Sequence, residues 1–184
     1  MPINIKMNDA VVKKVSGKMK NATKFFTADD AAKMGEQVVI TMKEMISKGI
    51  SPIREVGRFP AYKHQRVKGK YPANQKNNYP EKKQRPVNLT LSGEFLSALS
   101  YRVLLGKKKG LWPVEIGYLK TPTIIDRLFR GKVSASKKEE GHREGVNGQP
   151  KRPTIPQGEE QFAAKIQKII FGAYRESYKR YVNK

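Results

Sequence analysis

The sequence predicts an α+β domain in which long helices near the two ends of the chain pack on a small antiparallel sheet. Apolar residues recur every three or four positions after Thr27 and again after Phe162, a spacing typical of amphipathic helices. Between them, apolar residues alternate with other residues from Trp112 to Tyr118, which indicates a strand. No internal repeat accompanies these patterns, so one domain is expected.

The length of 184 residues suffices for a single domain with an apolar core. We assign residues 27–184 to that domain and include in it an extended basic arm, residues 58–86, and a loop, residues 132–151. Residues 1–26 mix basic and apolar positions without a clean period and are expected to form an arm or a frayed helix.

The first helix is predicted from Thr27 to Gly49. Thr27 is a suitable N-cap, and Asp29 and Asp30 in the first turn complement the helix dipole. Lys48-Gly49 is a typical left-handed helix end. One face carries Ala31, Met34, Gly35, Val38, Met42, Met45 and Ile46. We expect its methionines to pack in the core rather than line a groove.

From Arg58 to Pro86 the chain holds nine Lys or Arg residues, four prolines and one acid. Such a segment has too few apolar residues to offset the entropy of ordering, so it is predicted to be a long arm. Its tyrosines alternate with cations, which suits either stacking on bases or docking on protein. The candidate contact residues are Arg58, Tyr62, Lys63, Arg66, Lys68, Lys70, Tyr71 and Tyr79.

The neutral segment after the arm, "VNLTLSGEFLSAL", predicts a short buried helix. Ser92 can cap it, and Leu91 and Leu96 are spaced as a hydrophobic staple. Phe95, Leu96 and Leu99 are expected to face the core. The segment would thus fix the end of the arm to the domain.

A hairpin is predicted next, with Pro113 at an edge position. The turn "GKKKG" places Lys107, Lys108 and Lys109 at its tip. These lysines are either merely solvated or line a space occupied by phosphates.

Residues 121–131, "TPTIIDRLFRG", predict a short helix, residues 132–151 a loop, and "RPTIP" an extended piece. The closing helix is expected to bury Phe162, Ile166, Ile169, Ile170, Ala173, Tyr174 and Tyr181. Its positive end would have Glu159 and Glu160, and its negative end Lys179, Arg180 and Lys184.

The charge is the strongest global feature, with 38 Lys and Arg against 16 Asp and Glu and a formal net charge of +22. This excess is far above the roughly 2 to 8 units that keep a small domain soluble. Nucleic acid is therefore the first partner class to consider. The alternatives are a basic surface that only maintains solubility and one that pairs with an acidic protein.

Catalytic patterns are scarce. The chain has no cysteine, and it lacks phosphate-loop, zinc-protease and serine-hydrolase motifs. His142 stands near Glu139 and Glu144, which leaves a nuclease as a third hypothesis, although a glycine-rich loop offers no rigid ligand set. We expect no enzyme activity, cofactor or metal. Without a signal-peptide pattern or a membrane-spanning stretch, we expect a cytosol-like compartment.

Taken in order, the amphipathic helix, the basic arm, "VNLTLSGEFLSALSYRV", the hairpin ending "VEIGY", the loop "ASKKEEGHREG" and "KRPTIPQGEEQF" before a last helix resemble the tail-completion and head-tail joining (neck) proteins of tailed bacteriophages. In that family an "LTLSG" segment leads into a short helix and sheet, and an "RxxIP" strand precedes the final helix. The similarity covers residues 27–182. The long basic arm departs from the family pattern.

The resemblance implies a structural virion protein that forms a homo-oligomeric ring in the neck, between the portal-side connector and the tail, around the DNA channel. Its partners would be copies of itself, the neighbouring connector and tail proteins, and DNA without sequence readout, with no membrane. It would be made in the host cytoplasm and reside in the virion. The alternative from another class is a free nucleic-acid-binding protein that reads no sequence.

Overall fold

A computed structural model describes residues 25–60, 89, 94–106, 112–119, 123–126, 131–145 and 150–183. In chain order its elements are α1 Ala28–Ser47, α2 Glu94–Ser97, β1 Ser100–Val103, β2 Val114–Gly117, β3 Thr123–Asp126, β4 Gly131–Ser134, α3 Ala135–Glu144 and α4 Ala164–Val182. Helices combine with small antiparallel sheets, and the predicted α+β class is therefore confirmed.

Both ends of α1 are fixed by residues close in sequence. The Asp30 backbone N–H donates to Thr27 Oγ1 (3.2 Å), and the Thr27 N–H donates to Asp30 Oδ2 (3.1 Å), which forms a capping box. At the other end Gly49 has a φ of 75°, its N–H donates to the Ile46 carbonyl, and the Ile50 N–H donates to the Met45 carbonyl. The predicted start and left-handed end are both confirmed.

The buried face of α1 forms the centre of the core. Val38, Met42 and Ile46 are fully buried, and all three methionines on this face pack in the core as expected. The hairpin β1–β2 packs against the helix at Gly35, where a β-carbon would lie 2.5 Å from Tyr101 Cδ2. Glycine at this position lets helix and hairpin approach closely.

The predicted hairpin is confirmed. Strands β1 and β2 pair antiparallel, from Ser100 opposite Gly117 to Val103 opposite Val114. Immediately before β1, the side chains of Phe95, Leu96 and Leu99 are buried as expected, although α2 itself ends at Ser97. The proposed cap Ser92 and its partner Leu91 lie outside the described residues.

Residues 121–151 differ from the prediction. In place of a short helix, β3 and β4 form a second antiparallel pair in which Thr123 lies opposite Ser134. In place of a loop, α3 follows β4 directly; the Ser134 hydroxyl accepts from the Lys137 N–H, and Gly145 ends the helix with a φ of 74°. Thr-Ile-Ile is a β-branched run, and pairing with β4 outweighed the helix-start signal of Pro122.

Helix α4 packs on α1, and α1 in turn packs on the β1–β2 hairpin. The two helices are antiparallel: Lys165 at the start of α4 contacts Glu44 near the end of α1, and Arg180 near the end of α4 contacts Asp30 at the start of α1. The last turn of α4 carries Lys179 and Arg180 as predicted.

The predicted acidic start of α4 is wrong. The helix begins at Ala164, after both glutamates, and its first turn has no acidic residue. Glu160 instead accepts from Arg143 of α3 and from the Gln157 backbone N–H. Lys184, predicted at the other end, lies outside the described residues.

The predicted arm also begins too early in the sequence. Phe59 is 4% exposed, its N–H donates to the Gly49 carbonyl, and the Pro60 carbonyl accepts from the guanidinium of buried Arg152. Residues 58–60 therefore belong to the folded domain. The rest of the predicted arm, residues 61–86, lies outside the described residues.

Candidate interaction surface

Most of the predicted contact residues lie outside the part of the chain that the structure describes. Lys107, Lys108 and Lys109 lie outside the described residues, as does every arm candidate except Arg58. Arg58 pairs with Ile50 in an isolated β-bridge beside buried Phe59, and its side chain is exposed. Arg58 is therefore the one predicted contact residue within the described part of the chain.

A different surface stands out on α4, on the side opposite its buried residues Ile166 and Ser177, although its last member, Tyr178, also contacts Phe25. Phe171 is 60% exposed, Tyr178 is 55% exposed, and both are separated by helical spacing from the exposed cations Lys168 and Arg175. We call Lys168, Phe171, Gly172, Arg175 and Tyr178 the outer stripe of α4. Exposed aromatic residues that follow one helix face indicate a contact surface more strongly than scattered apolar residues do.

The cations of the outer stripe differ from the other lysines of α4 in their contacts with the described carboxylates. Within the chain, Lys165 pairs with Glu44 and Lys179 pairs with Glu176, so these lysines already have carboxylate neighbours. Lys168 and Arg175 form no ion pair with any residue that the structure describes. The stripe therefore presents two cations that no described carboxylate neutralises, beside an exposed phenyl ring.

Gly172 adds a second feature to this surface. A β-carbon built on it would have no neighbour within 4 Å, so the packing of the chain does not require glycine there. A glycine in a helix interior costs about 1 kcal/mol relative to alanine. Its position next to Phe171 leaves room for another backbone to approach the helix.

The sequence prediction assigned Tyr174 and Tyr181 to the core and overlooked the outer stripe. Tyr174 is 42% exposed and stacks on Phe26 with ring centroids 4.2 Å apart. Tyr181 is 40% exposed and lies against Phe25. These tyrosines therefore border the core, where they cover the aromatic pair that precedes α1. A signal for the stripe did exist, because Lys168, Phe171, Arg175 and Tyr178 repeat at helical spacing.

An open pocket of about 520 Å³ lies where the start of α1 meets the end of α4. Asp30 and Arg180 form an ion pair in its wall, and the Ser177 hydroxyl accepts from the Arg180 guanidinium at 3.1 Å. Burial alone would raise the pKa of Asp30, but hydrogen bonds from Arg180 and Thr27 stabilise the carboxylate and lower its pKa to about 2. The Asp30–Arg180 ion pair thus forms part of one wall of the pocket.

This pKa predicts an acid-sensitive contact between α1 and α4. A lowered pKa contributes stability above the ordinary aspartate value, and that contribution is lost as the pH falls through about 2. Asp30→Asn should therefore lower the free energy of unfolding at pH 7 by about 1 to 2 kcal/mol, and the difference from the native protein should shrink between about pH 4 and pH 2. Urea unfolding across this range measures it. Asp29→Asn, at an exposed position of the same turn, should show little difference.

Glu139, one of the residues of the nuclease hypothesis, is buried and forms its contacts within the fold. Glu139 is 4% exposed and accepts from the Thr154 N–H at 3.2 Å, and Arg143 lies 3.6 Å away. Burial raises the pKa of Glu139, although Thr154 and Arg143 oppose that shift. The His142 ring lies 5.4 Å from the Phe95 ring, between centroids. Among the residues that the structure describes, no three His, Asp or Glu side chains are grouped to hold a metal.

Comparisons of the chain with protein-family models, with curated proteins and with solved structures find no match. In the part of the chain that the structure describes, no helix has both the length and the apolar character needed to cross a bilayer.

Proposed function

We propose that this chain is a structural protein of the neck of a tailed bacteriophage. Identical copies would form a ring that joins the head connector to the tail, completes the tail and surrounds the DNA channel. The chain would act as a viral structural component without catalytic activity, and it would be found in the virion after synthesis in the host cytoplasm.

The observation that carries the proposal is the outer stripe of α4. The monomer leaves an aromatic and cationic helix face uncovered, whereas aromatic residues and arginine are enriched where proteins meet. The order of segments along the chain adds support, because "VNLTLSGEFLSALSYRV" precedes a hairpin and "KRPTIPQGEEQF" precedes the last helix, as in neck proteins. A subunit of a ring needs surfaces for its neighbours.

Electron cryomicroscopy of purified particles of the phage that encodes this chain tests the proposal. The expected result is density for several copies of the α1–α4 pair and the β1–β2 hairpin at the junction of head and tail. Particles in which the junction is complete without this chain would contradict it. Mass spectrometry of the same particles provides the copy number independently of the map.

The net charge of +22 yields a prediction for the turn lysines. If Lys107, Lys108 and Lys109 face DNA, replacing all three with glutamine should reduce the salt dependence of duplex binding, by up to about 3 in the slope of log affinity against log salt per copy. Affinity should not depend on base sequence. The measurement is binding to two unrelated duplexes at several salt concentrations.

A matched control removes the same charge elsewhere. Lys33, Lys48 and Lys151 have exposed side chains on described parts of the fold, and their replacement by glutamine also removes three cations. Equal slopes for both triple variants would assign the effect to total charge and contradict a specific role of the turn. Ring assembly in particles is expected to persist in both variants.

The second candidate function is a free nucleic-acid-binding protein that reads no sequence. The specific observation in its favour is the alternation of cations with exposed aromatic rings on α4, which suits phosphate contact and base stacking. It would bind single strands tightly as a monomer, and Phe171→Ala would weaken that binding. It would be absent from the head-tail junction, so the particle map separates the two candidates.

A further inference from the structure

We propose that the outer stripe of α4 binds the exposed face of α1 in a neighbouring copy of this chain. The α1 face in question is Glu36, Ile40 and Glu44, which we call the acidic stripe of α1. The contact would be the one that joins subunits in the proposed ring, so the inference rests on that function. It adds to that function the two surfaces that would form the contact between neighbouring subunits.

Like the outer stripe, the acidic stripe has an exposed apolar side chain between two charged side chains, but its charges are negative. Ile40 is 50% exposed although it lies within a helix whose other large apolar side chains are buried in the core. Glu36 and Glu44, four residues before and after it, have exposed side chains on the same side of α1. The apolar side chain of Ile40 thus lies exposed to water between two carboxylates, and its burial against a partner would be favourable.

The spacing of charges along the two helices also corresponds. Lys168 and Arg175 are seven residues apart, which is about 10.5 Å along a helix, and Glu36 and Glu44 are eight residues apart, about 12 Å. Phe171 lies between the cations and Ile40 lies between the carboxylates. Two antiparallel or parallel helices could thus pair both charges while the apolar side chains pack together at the centre.

Charge argues against pairing either stripe with itself. In a two-fold antiparallel contact centred on Phe171, Lys168 of one copy would lie opposite Arg175 of the other, and like charges repel. The same contact centred on Ile40 would place Glu36 opposite Glu44. Only the pairing of one stripe with the other is complementary, and such a head-to-tail contact generates a ring or a filament rather than a closed dimer.

Among the described residues, internal contacts leave the centres of both stripes accessible, and only Tyr178, at the end of the outer stripe, packs against another ring, that of Phe25. Lys168 and Arg175 have no carboxylate partner among the described residues. Glu44 pairs with Lys165 at 3.3 Å, but both side chains are more than half exposed, and such pairs cost little to rearrange. Gly172, beside Phe171, leaves open space where the neighbouring α1 backbone could approach.

Two aspartate variants of the full chain test the inference. Phe171→Asp removes the apolar centre of the outer stripe but leaves the acidic stripe intact, and Ile40→Asp does the reverse. Each variant alone should associate at least about 30-fold more weakly than the native chain, the loss typical of a central interface residue. Mixed in equal amounts, they should form a 1:1 heterodimer and nothing larger, because each supplies one intact stripe. Sedimentation velocity measures all three samples.

Both aspartate variants are expected to fold, because the side chains of Phe171 and Ile40 are at least half exposed. Circular dichroism and thermal unfolding of each variant provide the check.

A second measurement does not depend on the aromatic ring. Lys168→Glu with Arg175→Glu should abolish association, and mixing that variant with Glu36→Lys, Glu44→Lys should restore it, because both stripes then meet an opposite charge.

Three results would overturn the inference. The first is a mixture of the Phe171→Asp and Ile40→Asp variants that stays monomeric while the native chain associates. The second is an Ile40→Asp variant that associates like the native chain. The third is a Phe171→Asp variant that associates normally but loses binding to single-stranded DNA. The last result would assign the stripe to nucleic acid. A chain that forms the heterodimer but is absent from the particle neck would contradict the proposed function alone. A chain present in the neck whose mixture stays monomeric would contradict this contact alone.

Discussion

Replacement of Gly35 by leucine is expected to lower the free energy of unfolding by about 3 kcal/mol or more, the upper end of overpacking effects. A β-carbon there would lie 2.5 Å from Tyr101 Cδ2, 2.8 Å from Tyr101 Cγ and 3.0 Å from Val114 Cγ1. Tyr101 Cγ is near the base of its side chain and cannot swing away, so α1 and the β1–β2 hairpin would have to separate. Urea unfolding at pH 7 measures the loss.

The chain contains a matched control for this substitution. Gly172 also lies within a long helix, but nothing is within 4 Å of the position of its β-carbon. Gly172→Leu should therefore raise the stability of the monomer by up to about 1 kcal/mol, because leucine is the better helix former. Measurement at low protein concentration avoids any effect on association. Similar losses for the two variants would show that helix and hairpin are not in close contact at Gly35.

Leu99→Ala is expected to cost about 2 to 5 kcal/mol, the sum of lost apolar transfer energy and a cavity. Leu99 is 1% exposed and lies between α2 and β1, so neighbouring elements on both sides would have to move to fill the space. Leu96, which is 8% exposed, should respond similarly. Both values would be measured by chemical unfolding with native-like circular dichroism as a check on fold.

Leu105→Ala makes the same chemical change at a site that is 86% exposed, and it should alter stability by less than about 0.5 kcal/mol. The comparison cancels the general effect of losing a leucine side chain. Should Leu99→Ala be as mild as Leu105→Ala, the segment after the basic arm would not be part of the core.

Helix α1 could be predicted from the sequence because its determinants are local. The capping box joins residues three apart, and Gly49 ends the helix through its own backbone conformation. The apolar stripe that contains Val38 and Met42 needs no knowledge of its partner to be recognised. The hairpin was predictable for the same reason, since alternation over a few residues is visible without tertiary contacts.

Helix α3 could not be predicted in this way, because only Ala135 and Glu139 of its residues are buried. Its stability depends on contacts far along the chain: Thr154 donates to Glu139, and Glu160 accepts from Arg143. A polar segment with glycine resembles a loop until those partners are known. The strand β3 was missed for a different reason: its apolar residues Ile124 and Ile125 are adjacent rather than alternating, and Pro122 and Gly131 resemble the two ends of a helix.

The outer stripe of α4 shows a further limit of sequence patterns. Helix α4 has apolar and aromatic residues on more than one side, and periodicity alone does not say which side faces α1. Ile166 is fully buried, whereas Phe171, five residues later, is 60% exposed. Only the packing of α4 against α1 distinguishes the core face from the face that is free for a partner.

The antiparallel arrangement of α1 and α4 has a mechanical consequence. Phe25 lies 5.6 Å from Tyr178, between ring centroids, so the two ends of the folded domain are adjacent. Tension applied at residues 25 and 183 would therefore load the aromatic contacts and the Asp30–Arg180 pair first, and then peel α4 from α1 one turn at a time. A domain loaded in this manner yields at low force when pulled by its ends. Load that enters through the helix faces would instead be shared by all turns at once.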